Sequence, residues 1–259
     1  MGVLNVTPDS FFDGGRYDST EAAVAHGLQL VAEGADIVDV GGESSRPGAQ
    51  PVPLAEELAR VVPVVEALAG QVRVSVDTVK PEVAHAALGA GATLLNDISA
   101  SLWEVALAHG AGWVAMHMQG SPGTMQAGPH YDDVVAEVHG FLADRARLAR
   151  DAGLTEVWVD PGIGFGKTLR HNLSLLHHLP ELVAQADGAG GTGVLVGTSR
   201  KSFLGRLAAG PDGEPAGPAD RAEGSLATAV WAMVAGAGVV RVHDVAATVQ
   251  AARLYGPAA

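Results

Sequence analysis

Cysteine is absent from the 259 residues. Disulfides, iron–sulfur clusters, thiolate zinc and cysteine nucleophiles are therefore excluded, and the absence suits a reducing cytoplasm. Positive charge is scarce. Lys+Arg 16 against Asp+Glu 29 leaves a net charge of −13. A chain this acidic has no basic stripe to follow a phosphate backbone, which argues against nucleic acid as a partner. Lysine occurs at Lys80, Lys167 and Lys201 alone. Long hydrophobic runs are missing too. The longest, Leu226 to Val240, is interrupted by Thr228 and falls short of the ~20 residues a bilayer span needs. Met1 leads directly into Gly2, Val3, Leu4 and Asn5, with no basic segment or cleavage-like site. Neither an export signal nor a membrane partner is expected.

What is present is apolar mass: 47% of residues are hydrophobic and 17% charged. That suffices for one large core and excludes a disordered chain. Short apolar runs of strand length alternate with longer segments of helical period. The runs are Gly2–Asn5, Ile37–Val40, Val72–Val76, Leu94–Asp97, Trp113–His117, Val157–Asp160, Val194–Thr198 and Val239–His243. Between them, Thr20 to Glu33 reads as a helix ended by Gly34. Leu54 to Leu68 reads as a helix that Pro63 should bend, and Asp132 to Asp151 as one with acids first and arginines last. Eight strand–helix units with mostly continuous apolar runs predict a parallel sheet under helices. The count and length favour a single α/β domain over residues 1–259, a closed (β/α)8 TIM barrel. An open doubly wound sheet is the alternative. Segments 185–193 and 206–220 read as solvated connections.

Nearly every apolar run ends in a polar residue. The ends are Asn5; Glu43, Ser45 and Arg46; Asp77; Asn96 and Asp97; His117; Asp160; Ser199, Arg200 and Lys201; and Arg241 and His243. In a parallel barrel such ends line the catalytic face. Asp97 also fits a cap for the next helix, His117 a core histidine, and Asp244 a cap for the last helix. Asp77, Asn96 and Asp160 suit a ligand edge rich in N–H donors, such as a guanidine-like heterocycle. Arg46, Arg241 and His243 suit a phosphate or diphosphate. Lys201 fits either group. The turn from Asp160 to Thr168 nearly matches a P-loop, but Pro161 stands where the first glycine belongs. Its glycines are expected to let the backbone approach a flat ligand, with Phe165 exposed as a stacking face.

These residues resemble the dihydropteroate synthase family. The blocks are Met1 to Phe11 (MGVLNVTPDSF), Asp39 to Ala49 (DVGGESSRPGA), Ser75 to Thr78 with Asn96 to Ile98, Asp160 to Lys167 (DPGIGFGK), and Gly197 to Gly205 with Arg241 to Asp244 (RVHD). Met116 to Gly120 is similar as well. The resemblance runs end to end and implies a transferase of folate biosynthesis. That enzyme joins 6-hydroxymethyl-7,8-dihydropterin diphosphate to 4-aminobenzoate, giving 7,8-dihydropteroate and diphosphate with Mg2+. By matching positions, Asp77, Asp160 and Lys201 would be catalytic. Ser45, Asp77, Asn96, Ile98, Met116, Asp160, Lys201, Arg241 and His243 would bind the pterin diphosphate. Phe11, Ser45, Arg46, Pro47, Phe165 and Lys201 would frame the aminobenzoate, and Asn5 would ligate the metal.

The resemblance further implies a cytoplasmic homodimer and a sulfonamide target. Three departures accompany it. The first strand starts at Met1, without the segment that usually closes the barrel base. Ser45 stands where Thr is common, and Phe12 where Ser is common. The competing readings are a barrel that transfers a methyl group from a reduced folate, and a pterin-binding paralogue without turnover. The first-loop and Arg241-Val242-His243 blocks argue against the first, and the presence of Asn5, Arg46, Arg241 and His243 argues against the second.

Overall fold

The strands form where the apolar runs predict them. The computed structural model describes residues 1–7, 16–45, 48–188, 190–210 and 213–254. Its strands are β1 (Gly2–Asn5), β2 (Ile37–Gly41), β3 (Arg73–Asp77), β4 (Leu94–Asp97), β5 (Gly112–Met116), β6 (Val157–Asp160), β7 (Gly193–Val196) and β8 (Val239–Val240). The helices are α1 (Arg16–Ala32), α2 (Leu54–Leu68), α3 (Pro81–Gly89), α4 (Trp103–His109), α5 (Val134–Asp151), α6 (Leu169–His177), α7 (Leu179–Gly188), α8 (Ser202–Leu207), α9 (Ala222–Val234) and α10 (Val245–Ala252). All strand pairs are parallel, in the order β1 to β8. The sheet closes on itself: Val3 N–H donates to Val242 O, and Val242 N–H to Met1 O, both at 3.0 Å. The fold is therefore the closed barrel, not the open sheet.

Local rules account for the helix ends. Asp133 caps α5 by accepting from the N–H groups of Val135 and Ala136. Gly34 ends α1 with two bonds, Gly34 N–H to Val31 O and Ala35 N–H to Leu30 O. α2 runs unbroken past Pro63. The connection expected over 185–193 is half helix, because α7 continues to Gly188. The one expected over 206–220 begins inside α8 and ends in a 3-10 turn at Pro218–Arg221.

Side chains alternate across each strand, and this decides what the barrel encloses. Val38, Val40, Val74, Val76, Leu95 and Ala115 pack outward against the helices in the main core. Ile37, Leu94, Val114 and Leu195, with Met1, Trp158 and Val239 against them, form a separate cluster that fills the lower barrel. Gly193 makes that plug possible, since a Cβ there would collide with the Trp158 indole. Above the plug the inward positions turn polar. The register sets Asn5, Gly41, Asp77 and Asn96 side by side at the C-terminal rim, with Asp39 and Ser75 one layer below. No helix among the described residues is long and apolar enough to cross a membrane.

Candidate active site

The inward polar layer centres on Arg241, which follows β8. Its Nε donates to Asp39 Oδ2 at 2.6 Å and its Nη2 to Asp77 Oδ2 at 2.9 Å. Asn96 Nδ2 also donates to Asp39 Oδ2, at 3.0 Å. Asp39 is 0% exposed. Its Oδ1 has no hydrogen-bond partner among the described residues, and neither has Ser75 Oγ. Burial disfavours the charge on Asp77 and raises its pKa to about 7. Arg241 pulls the other way, while Asp39 adds to the rise. Arg241 stays firmly charged, because the two acids outweigh the cost of burying it.

Asp160 stands across the mouth at the end of β6. Its Oδ1 accepts from Gly162 N–H at 2.7 Å. Burial raises its pKa to about 6, against the pull of that N–H and of Lys201, Lys167 and Arg241. Two carboxylates and an amide thus face the mouth, both acids held above their usual range by desolvation. Such groups gain most from a ligand that brings N–H donors.

An apolar wall stands beside them. Ile98, Met116 and Phe165 pack together with Met125. The exposed stacking face expected at Phe165 is not observed: the ring is 7% exposed. It lies in this cluster with the Lys201 ammonium 3.7 Å from its centroid, a cation–π contact. The glycines of the β6–α6 turn also serve a different purpose from the one expected. Gly162 has φ 64°, and a Cβ there would collide with the carbonyl oxygen of His117. The close approach is to the chain's own β5–α5 connection. Lys167 locks it. This lysine is 3% exposed, and its Nζ reaches His117 Nδ1, Gly162 O and Phe165 O at 3.0 Å each and His117 O at 3.2 Å. Burial and Lys167 drive the His117 pKa down to about 3. The ring is neutral and accepts at Nδ1, a core histidine facing Phe141 and Tyr131.

The other positions are equally plain. Asp97 points outward and organises its own loop, accepting from the N–H groups of Ser99, Ser101 and Leu102 and from Trp113 Nε1. Arg200 turns away from the mouth to pair with Asp244 at 2.6 Å. Asp244 therefore occupies the N-cap position of α10 without capping it through its side chain. His243 Nδ1 lies 2.9 Å from Ser199 Oγ. Asn5 and Ser45 are partly buried, on the rim and on the β2–α2 connection. Phe11, Phe12, Arg46 and Pro47 lie outside the described residues.

The structure thus brings Asp77, Asn96, Asp160, Lys201, Ile98, Met116 and Phe165 to one mouth. It commits Arg241 to the acids inside it. Asp39 and Met125 were not singled out by sequence reasoning. Asp39 could have been, since an acid inside an apolar strand, two residues below the rim, shares its inward face.

A parallel barrel with acids, an amide and an apolar wall at its C-terminal mouth is an enzyme scaffold for a small planar ligand. Residues 1–243 match the family described as pterin binding enzyme. Dihydropteroate synthase of Escherichia coli strain K12 is 47% identical, over 98% of this chain and 89% of its own. The Xanthomonas albilineans dihydropteroate synthase with 4-aminobenzoic acid superposes with TM-score 0.87 at 48% identity, covering 98% of this chain and 90% of that one. The same organism's enzyme in complex with 7,8-dihydropteroate gives TM-score 0.84 at 44% identity, covering 98% and 91%. The chain belongs to the dihydropteroate synthase family of pterin-binding enzymes.

Proposed function

We propose that this chain condenses 6-hydroxymethyl-7,8-dihydropterin diphosphate with 4-aminobenzoate. The observation that carries the reading is the convergence of Asp77, Asn96 and Asp160 beside the wall of Ile98, Met116 and Phe165. Asp77, Asn96 and Asp160 accept and donate along the pterin's amino and ring N–H edge. Its flat face lies against the wall, and Lys201 closes the pocket over Phe165. The C–O bond at the pterin methylene breaks and the diphosphate leaves with the electron pair. The ionised acids steady the positive charge spreading over the ring. The neutral aniline nitrogen forms the new C–N bond and gives its proton to solvent or to the departing diphosphate. No strong base is required, because the neutral aniline nitrogen is itself the nucleophile.

Arg241 and His243 receive the diphosphate in this reading. Arg241 then exchanges Asp77 for phosphate oxygens, and the released Asp77 carboxylate turns to the pterin. One ion pair is traded for two charge-assisted contacts. The residues fit Mg2+, which Asn5 would hold together with the substrate. No cluster of three acidic or histidine ligands occurs among the described residues, while Asn5 offers one hard amide oxygen on the rim beside Gly41 and Asp77. Mg2+ held by one or two protein oxygens and phosphates is usual for that ion. When bound, it supplies charge to the leaving diphosphate. Ser45, Phe165 and Lys201, with Phe11, Arg46 and Pro47, frame the aminobenzoate. That is the position a sulfonamide would contest, and a sulfonamide complex is known for the Yersinia pestis relative.

The deciding experiment is diphosphate release from the pterin diphosphate, with and without 4-aminobenzoate, across Mg2+ concentrations. We expect release that requires both. Pterin binding without release would instead identify a non-catalytic paralogue. A homodimer belongs to the same proposal, supported by exposed Leu173, Leu207, Trp231 and Val234 on α6, α8 and α9. Light scattering should read twice 26.3 kDa, and a monomer at micromolar concentration would refute it. Cytoplasmic residence completes the proposal and rests on the cysteine-free composition.

A further inference from the structure

A second group of charges lies beside the mouth, between β2, α2 and the end of β3. Glu57 on α2 is 1% exposed, which is rare for a glutamate and demands partners. Its Oε1 accepts from Thr78 Oγ1 at 2.7 Å, and its Oε2 pairs with Lys80 Nζ. Lys80 Nζ also donates to Glu43 Oε2 at 2.7 Å. That same oxygen accepts from Val52 N–H at 2.6 Å. Glu43 and Val52 stand at the two ends of the β2–α2 connection, so one carboxylate closes the neck of the segment that carries Ser45. Thr78 and Lys80 follow Asp77 directly, and Thr78 N–H reaches Asn96 O at 3.3 Å. The group therefore links the neck to the two strand ends that bear the pterin-facing Asp77 and Asn96. The two carboxylates hold the Lys80 pKa above its ordinary value, although burial opposes them.

Stability alone does not call for this arrangement. An apolar cluster of similar volume would serve the fold as well, whereas charges fix direction and register. We propose that Glu43, Lys80 and Glu57 act as a positioning clamp. It holds the β2–α2 connection, and Ser45 with it, in register with β3, so that the second substrate is presented to the pterin methylene. Within the reaction proposed above, these are positioning residues that touch neither substrate.

Glu43→Ala tests the clamp in the full chain. It frees the neck but leaves the Lys80–Glu57 pair intact, so no buried charge is stranded. Loss of a hydrogen bond to a carboxylate should raise KM for 4-aminobenzoate about tenfold. Pterin diphosphate affinity by calorimetry should change less than about twofold, since Asp77 keeps its partners. Glu43→Gln retains an acceptor for Val52 N–H and should recover most of the loss. Equal losses for both substrates, or an unchanged KM, would overturn the clamp. Amide hydrogen exchange over residues 44–52, read without substrates, gives a second measure and should speed up in Glu43→Ala. Unchanged protection overturns the clamp even in a chain that shows no turnover. Faster exchange in Glu43→Ala, beside a wild type that releases no diphosphate, overturns the functional reading alone.

Discussion

At pH 7, Asp160→Asn should melt no lower than the parent protein and bind the pterin substrate about a hundredfold more weakly. The two halves share one cause. Burial lifts the Asp160 pKa from 3.8 to about 6. Between those values the unfolded chain holds fewer protons at this position than the folded one. Stability therefore falls as pH rises through that window and stays lower above it. The penalty is on the order of 2–3 kcal/mol. Asparagine carries no such penalty, and its oxygen still accepts from Gly162 N–H. The melting advantage should reach a few degrees at pH 7 and vanish below pH 4. What asparagine loses is the charge that meets an N–H edge. A clear drop in Tm at pH 7 would show that Asp160 serves the fold, not the ligand.

Arg241→Ala should behave in the opposite way. It strips Asp39 and Asp77 of their cation. Asp39, with Asn96 as its other partner, has no route to solvent. Breaking a buried pair of this kind costs about 3–5 kcal/mol. For a chain of this length that is a fall in Tm of roughly 10 °C. Asp39→Asn in the same background should restore part of the loss, because the amide oxygen still accepts from Asn96 and one buried charge is gone. An unshifted Tm in Arg241→Ala would refute a structural role for these ion pairs. The arginine thus has two duties in turn: balancing the acids while the pocket is empty, and meeting phosphate when the substrate arrives.

The architecture was legible because its determinants are local. Continuous apolar runs such as Val157–Asp160, the helical spacing in Leu54–Leu68 and the acids-first, arginines-last order from Asp132 to Asp151 each act within a single element. The rim residues were legible for a similar reason: Asp77, Asn96 and Asp160 end strands, and strand ends in this fold face the mouth. What escaped was decided by partners far along the chain. Arg241 and Asp39 stand 202 residues apart, and no local pattern announces their bond. Lys167 looked like part of a ligand turn because two of its four acceptors, both on His117, lie 50 residues away along the chain and become neighbours only on folding. Phe165 was expected to be exposed for the same reason, since nothing within its turn predicts Met125 packing against it. Asp97 illustrates the parity of a strand: one residue beyond the inward Asn96, it belongs to the other side.

The Lys167 knot has a consequence for the kinds of molecule the mouth can admit. It joins two adjoining connections into one stiff rim, and Gly162 leaves no slack between them. The pterin end of the mouth is thus bounded by a part that cannot yield without breaking several bonds at once. Accommodation of bulkier guests is left to the rest of the mouth. Tolerance for chemical variety should be lopsided, with the bicyclic ring matched narrowly and the aniline partner more freely.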